Sequence, residues 1–335
     1  MNKIYFIFCL LIFIVTACSQ EDDYNSGEWT DNLENNDPTL RQVNFSNDMT
    51  GVSVLIFQKN QNNKYIFQRS VSSGWSVNGK VSTMLVLGYY KFLFLKNAGT
   101  TTSFDPIPEE NTTEFEDFKI KATAMSGKDG YVNPVDQIWL PTAQLADKVY
   151  EVIDTITVKN TITRAVGQVV VNIKRGYPFD ENAASDPNGN IDESNYRLIP
   201  MEESFITQNL KDITLDINGV GTSIDLSGSY GNAKTYFSSF EKSIPISLSD
   251  GYATMEGPFV FPPEGGNKSS VSVNINMADN SKYRNISVNV ANATIEKNYQ
   301  TVINIWLTYT YQLFRVTVSM DEITGSNDAD TGIWN

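Results

Sequence analysis

The sequence predicts an all-β protein, two β-sandwiches in tandem behind a secretory signal and a polar tether. Three observations lead there. Val271, Val273, Ile275 and Met277 alternate with Ser272, Asn274 and Asn276, the period-two pattern of strands with one buried and one wet face. Short β-branched and aromatic runs are separated by turn-forming residues about every 8 to 12 positions, as in a sandwich. Past the signal, no window sustains a helical period for more than about two turns.

The chain opens Met1-Asn2-Lys3 and enters an apolar run over residues 4–15. That run falls short of the ~20 residues needed to span a bilayer and has the charged flank of a secretory signal. Val15, Thr16 and Ala17 then meet Cys18. This resembles the lipobox of bacterial lipoprotein precursors, cut between Ala17 and Cys18, with the thiol of Cys18 taking the lipid. The competing reading is an ordinary signal peptide (1–17) whose cysteine is incidental. Glu21, Asp22 and Asp23 resemble an export tag for the outer face of the outer membrane, or belong to a solvated linker. Residues 18–41 are rich in Asn, Asp, Glu and Ser, with Pro38 near the end. They hold too little apolar surface to fold and read as a flexible tether.

The first domain is expected over 42–160. Residues 52–57 are a strand by their β-branched and aromatic content, followed by strands at 65–67, 81–87 and 89–95, the last two parted at Gly88. A polar loop at 97–113 precedes a strand at 118–122. Residues 138–141 and 149–158 close the domain, with one helical turn over 142–148. The boundary falls near 159–163. In the second domain, 161–335, strands are expected at 162–173, 210–217, 223–226, 271–277, 286–290, 301–311 and 313–320, with an insertion loop at 176–195.

Composition excludes several functions. The net charge of the 335 residues is -14, and loss of Lys3 with the signal makes the mature chain one unit more negative. Nucleic acid is disfavoured, since its binders present a basic surface that displaces counterions. The chain has no histidine, so Ser-His-Asp and Cys-His catalysis and His-bearing zinc sites are ruled out. Cys9 leaves with the signal and Cys18 carries the lipid, so stability rests on burial and backbone pairing without a disulfide.

The remaining chemical candidates are weak. The acid pairs Asp180/Glu181 and Glu202/Glu203 are adjacent in sequence, whereas a glycosidase needs acids facing each other across a bond. Asp186, Asn188, Asn190 and Asp192 supply oxygens around Gly189 but lack EF-hand spacing and its closing glutamate. Residues 264–268 read as a turn, with no phosphate-loop pattern. Trp75, Trp139, Trp306 and Trp334 could stack on sugars, although Trp139 and Trp306 sit in strand-like text that favours a core role. Asp154-Thr155-Ile156 fits an Asp-Thr-aliphatic O-glycosylation pattern with Thr155 as acceptor. No catalytic constellation, metal site or cofactor emerges, and the chain reads as no enzyme.

Taken together, the lipobox, the two β-domains, Val86-Leu87-Gly88-Tyr89-Tyr90-Lys91-Phe92, the run from Thr163 to Val171, Val316-Thr317-Val318 and Trp334 resemble the fimbrillins. These are FimA/FimB-type subunits of protease-assembled type V pili. The resemblance implies two transthyretin-like sandwiches, export as a lipoprotein to the cell outer membrane, and a part in the fimbrium and in cell adhesion. It implies as partners other fimbrial subunits, the outer membrane through the lipid on Cys18, and a host or bacterial surface receptor. In stalk subunits of the family an arginine-specific protease removes the first strand, and a neighbour's strand fills the groove; anchor subunits keep their lipid and their strand. The Arg41–Gln42 bond is the candidate cleavage point, Arg41 otherwise being a tether charge. The polar 321–335 segment departs from an alternating donor strand, so an anchor or accessory subunit is expected. The alternative is a surface glycan-binding lipoprotein of a polysaccharide-uptake system.

Overall fold

A computed structural model describes residues 38–99, 101–178, 196–241, 246–249 and 251–323. The signal with Ala17 and Cys18, Glu21 to Asp23, Asp180/Glu181, the oxygen-rich stretch at 186–192 and Trp334 lie outside the described residues. The first part of the body carries β1 (Leu40–Ser46), β2 (Val52–Lys59), β3 (Tyr65–Val71), β4 (Lys80–Val86), β5 (Gly88–Lys96), β6 (Thr102–Asp105), β7 (Lys119–Ala122), β8 (Tyr131–Val132) and β9 (Trp139–Pro141). The single-turn helix α1 (Ala143–Ala146) follows, then β10 (Val149–Val152), β11 (Ile156–Lys159) and β12 (Ile162–Arg164). The second part carries β13 (Gly167–Pro178), β14 (Tyr196–Leu198), β15 (Leu210–Asp225), β16 (Tyr230–Glu241), β17 (Ile246–Ser249), β18 (Tyr252–Val260), β19 (Ser269–Met277), β20 (Ile286–Ala293), β21 (Tyr299–Leu307) and β22 (Leu313–Glu322).

Four sheets result, and the fold is all-β as expected. In the first part a small sheet in the order β11-β1-β4 faces a larger one in the order β12-β9-β5-β2-β3, with β10 beside β5. In the second, β17-β18-β13-β21-β22 faces β20-β19-β15-β16-β8. The expected helical turn forms where Thr142 caps it, its hydroxyl accepting from the Leu145 N–H, which satisfies one of the donors a helix start leaves open.

The texture of each strand follows from how many of its faces are covered. Val54, Ile56, Phe92 and Phe94 point toward Val43, Phe45, Val81 and Leu85 of the small sheet. Their neighbours Leu55, Phe57, Leu93 and Leu95 point the other way, into a cluster with Phe115, Phe118, Ile120, Ile138, Ile224 and Phe261. Because β2 and β5 are covered on both sides, their text is continuously apolar. By contrast β19 alternates strictly between buried and half-exposed positions, with one face on the core of Val169, Val171, Ile213, Leu215, Ile303 and Ile305.

Several segments differ from expectation. The 97–113 loop contains β6, which pairs with β7 while Phe104 packs on the central cluster; four residues are too few to display a period. Residues 149–158 break at Ile153 into β10, paired with β5, and β11, paired in parallel with β1. Residues 210–217 and 223–226 are one strand, β15, with a bulge at 218–220 where Gly219 takes φ +92, the conformation glycine adopts freely. The sequence announces none of β16, β17 and β18; β16 is largely exposed up to residue 235, and pairing with β15 along its length specifies it. β1 takes in Leu40 and Arg41, which the sequence places in the tether. β12, just past the expected boundary, pairs with β9, while β7 and β8 pair with β15 and β16. The central cluster therefore draws on both parts of the body.

Gly79 shows how tightly β1 and β4 meet. Its carbonyl accepts from the Asn47 N–H at 2.9 Å, its φ is +65, and a Cβ there would lie 2.1 Å from the Asn47 oxygen. Gly79→Ala is expected to destabilise by about 1–3 kcal/mol through strain, seen as a lower melting temperature. An unchanged midpoint would show that this turn relaxes without loss.

Candidate functional site

Of the residues singled out in the sequence, Arg41 and Gln42 lie in the first strand. In β1, Val43 and Phe45 are fully buried while Gln42 faces solvent. The Phe45 ring meets Phe92 at 5.0 Å and Phe94 at 5.7 Å, both edge-on, the arrangement ring quadrupoles favour. β1 is the middle strand of its sheet, so its backbone is paired on both sides. Outward-facing Asn44 accepts from the Ser82 hydroxyl at 2.6 Å and from Gln42 Nε2 at 2.9 Å. At the far end Asn47 donates to the Asn160 carbonyl at 2.8 Å. Strand identity here comes from two alternating buried apolar side chains, Val43 and Phe45, in a heptad whose other residues, Leu40 apart, are polar.

Arg41 lies within β1, and its Nε donates to the Ile153 carbonyl at 2.8 Å. The candidate Arg41–Gln42 bond is therefore the second link of a paired strand, on the tether side of both buried side chains. The next arginine in the chain is Arg69, in β3, whose Nη2 donates to the Thr83 hydroxyl at 2.8 Å and to the Met84 carbonyl. Thr155 is exposed in the β10–β11 turn and is accessible to a modifying enzyme. Glu202 pairs with Arg175 at 3.1 Å on the surface. Trp139 and Trp306 are buried and Trp75 packs on the first core, so none presents a ring face for sugar stacking in the way Tyr89 or Tyr309 could.

The C-terminal strand forms the second half of the site. β22 ends the order of its sheet and runs antiparallel to β21. Val316 packs on the second core, but Val318 and Met320, which continue its face, are exposed. The strand's end is held by Arg164, a buried residue whose sequence motif gave no hint of this duty. Its Nη1 donates to Asn298 Oδ1 at 2.9 Å and to the Ile323 carbonyl at 3.4 Å, and its Nη2 to Gln137 Oε1 at 3.4 Å. The guanidinium lies 4.6 Å over the Trp139 ring, a cation–π contact strengthened by desolvation. Asn298 completes the clamp, accepting from the Ile323 N–H at 3.0 Å and donating to Glu322 at 3.2 Å. Arg164 thus ties the end of β22 to β9 and the central cluster.

Beside Arg164 lies a cleft of about 140 Å³ lined by Leu140, Ala146, Ile224, Asp225 and Tyr230. Tyr230 donates to the Ala165 carbonyl at 2.9 Å, and burial pushes its pKa up. Among the described residues no group of three or more His, Cys, Asp or Glu is placed to hold a metal.

Tyr90 offers a test of the first core. It is buried, its hydroxyl donates to the Val86 carbonyl at 2.9 Å, and burial raises its pKa from 10.0 to about 12, with Arg69 opposing. The unfolded chain then releases this proton at lower pH than the folded one. Its contribution to stability is complete below pH ~10 and is lost as pH rises toward ~12. Urea midpoints are expected to fall between these values, and Tyr90→Phe to flatten part of the fall; an equal slope in the variant would assign it elsewhere.

No family model matches the chain, and no curated protein matches it. Solved structures do. The fimbrial anchor protein Mfa2 from Porphyromonas gingivalis is 11% identical, with 85% of this chain and 99% of that one covered at a TM-score of 0.46. A fimbrial protein from Bacteroides vulgatus is 11% identical, covering 85% of this chain and 100% of that one, TM-score 0.43. A candidate polysaccharide-binding protein from Bacteroides thetaiotaomicron is 13% identical, covering 86% and 99%, TM-score 0.48. The chain is similar to these in the course of its fold.

Proposed function

We propose that the chain is a fimbrial subunit of the anchor or accessory type, without enzymatic activity. It is held at the outer membrane by a lipid on Cys18 and joins neighbouring subunits by β-strand addition. The observation that carries this reading is the seating of β1. Cleavage after Arg41 would leave Val43 and Phe45, and with them the strand, in place. Cleavage after Arg69 would strip away β2 as well, a central strand of the large sheet. No arginine lies between the two, so an arginine-specific protease has no bond at which to remove β1 alone. A subunit that keeps its first strand opens no groove at this end, which suits an anchor that terminates a fibre. Strand addition would then use the second sandwich, where β22 presents Val318 and Met320. Backbone pairing supplies affinity in such a joint, and side chains on alternate positions supply register.

Intact-mass analysis of the protein from its native outer membrane tests the reading. A lipidated N-terminus at Cys18 is expected, together with recovery in fibre preparations. A chain starting at Gln42 would have lost the lipid and would overturn the membrane anchor, although β1 would still be in place. A free monomer bound to a defined glycan, absent from fibres, would replace the reading with that of a surface glycan-binding lipoprotein.

A further inference from the structure

We propose that the end of the first sandwich at which β1 enters rests on the lipid surface through an apolar rim of Val86, Leu87, Tyr89, Val149 and Ile153. All five side chains are between 41 and 56% exposed. Strand register brings them together. β1 runs parallel to β11 with Val43 opposite Ile156, so the turn holding Ile153 sits at the start of β1, where Arg41 Nε bonds the Ile153 carbonyl. The Asn44–Ser82 and Asn47–Gly79 hydrogen bonds set β4 antiparallel to β1. β4 therefore finishes, at Val86, where β1 begins. β10 pairs Val152 with Gly88 and Glu151 with Tyr89, which sets Ile153 level with Leu87 and puts Val149 further along β10, opposite Lys91.

Isolated exposed apolar residues need no explanation, but a contiguous group marks a contact surface. The occupant follows from where the chain goes. The sequence preceding β1 carries Cys18 and, before it, the apolar signal, and the inference rests on the lipid-anchor reading of that cysteine. Roughly two dozen residues separate Cys18 from the start of β1, so in the lipid-anchor reading this end of the body is the one tied to the bilayer. At that spacing the effective concentration of surface is high, and a contact too weak to bind free protein suffices. The rim also has interfacial chemistry. Tyr89 pairs its hydroxyl with Glu151 at 2.8 Å and lies 5.7 Å from Lys59 Nζ, an amphipathic ring flanked by charge, as at a membrane–water boundary. With the full chain at a net charge of -14 and the mature chain more negative still, the protein gains nothing overall from anionic headgroups, so the contact is apolar and insensitive to salt. A glycan on Thr155, two residues from Ile153 on the same turn, would oppose it.

The test uses the mature lipidated chain on vesicles of phosphatidylethanolamine and phosphatidylglycerol, compared with the Cys18→Ser chain free in solution. Amide exchange in residues 86–91 and 149–154 is expected to slow at least about fivefold on vesicles, at low and high salt alike, while β18 and β19 are unchanged. Leu87→Asp/Ile153→Asp should abolish the slowing while leaving the lipidated chain vesicle-bound, and Leu87→Ser/Ile153→Ser should reduce it. Unchanged exchange in a lipidated, vesicle-bound chain would overturn the contact and leave the anchor reading standing. Slowing that appears without vesicles as protein concentration rises would assign the rim to a second copy and likewise overturn it. Native protein lacking a lipid on Cys18 would remove the anchor reading itself.

Discussion

Phe45→Ala is expected to lower stability by about 3–5 kcal/mol, the range for a buried aromatic whose cavity is only partly refilled. Phe45 is fully buried, and its neighbours Phe92 and Phe94 are held by the paired strand β5, so the walls of the cavity have little freedom to collapse. That is a large share of the roughly 5–15 kcal/mol available to a typical domain. The urea midpoint should fall with an unchanged slope, and amide exchange should accelerate first in β1 and β11. The consequence reaches the proposed function, which rests on the retention of β1. With this side chain gone the strand should be held weakly, and an added peptide with the sequence of residues 38–48 should then bind and restore part of the stability. A loss under ~1 kcal/mol would show that β1 is not the lock the packing implies.

Arg164→Met is expected to cost about 2–4 kcal/mol, because Asn298, Gln137 and the Ile323 carbonyl lose a charged donor in a dry site. Methionine keeps the apolar stem, so the loss reports the guanidinium and its stacking on Trp139. Arg164→Lys should not rescue it. A single ammonium cannot reach Asn298 on one side and Gln137 on the other, as the planar fork does. Exchange in the last residues of β22 should accelerate in both variants, well ahead of β13 and β21. If the strand's end stays protected, the clamp through Asn298 and Glu322 holds it alone.

Legibility in the sequence varied with the local physics. Strands with one wet face, such as β19 and β20, displayed their alternation directly. β2 and β5 could be read as strands but not as members of a sheet buried on both sides, since a continuous apolar run does not say what covers it. β6 and β16 were invisible because their strand character comes from a partner rather than from their own residues. Arg41 is legible in the sequence as a candidate cleavage point, but its position inside a paired strand involves Ile153, more than a hundred residues away in the chain. Arg164 stood in a motif read only as the opening of a domain. Its role needed Trp139, Gln137, Asn298 and Ile323 brought to one point.

From residues alone, then, come the all-β class, the absence of histidine chemistry, the reliance on packing without disulfides, and the expectation of an exported, lipid-bearing chain. The class and the lack of histidine depend on composition or on a period of two, which neighbouring residues express by themselves; the lipid-bearing chain, and with it the lack of a disulfide, is what the resemblance of residues 15–18 to a lipobox implies. The seating of β1, the rim at its entrance, the shared central cluster and the clamp on β22 were decided only in the folded molecule. They are meetings of side chains distant in sequence, and such meetings are set by strand order and register rather than by any local pattern.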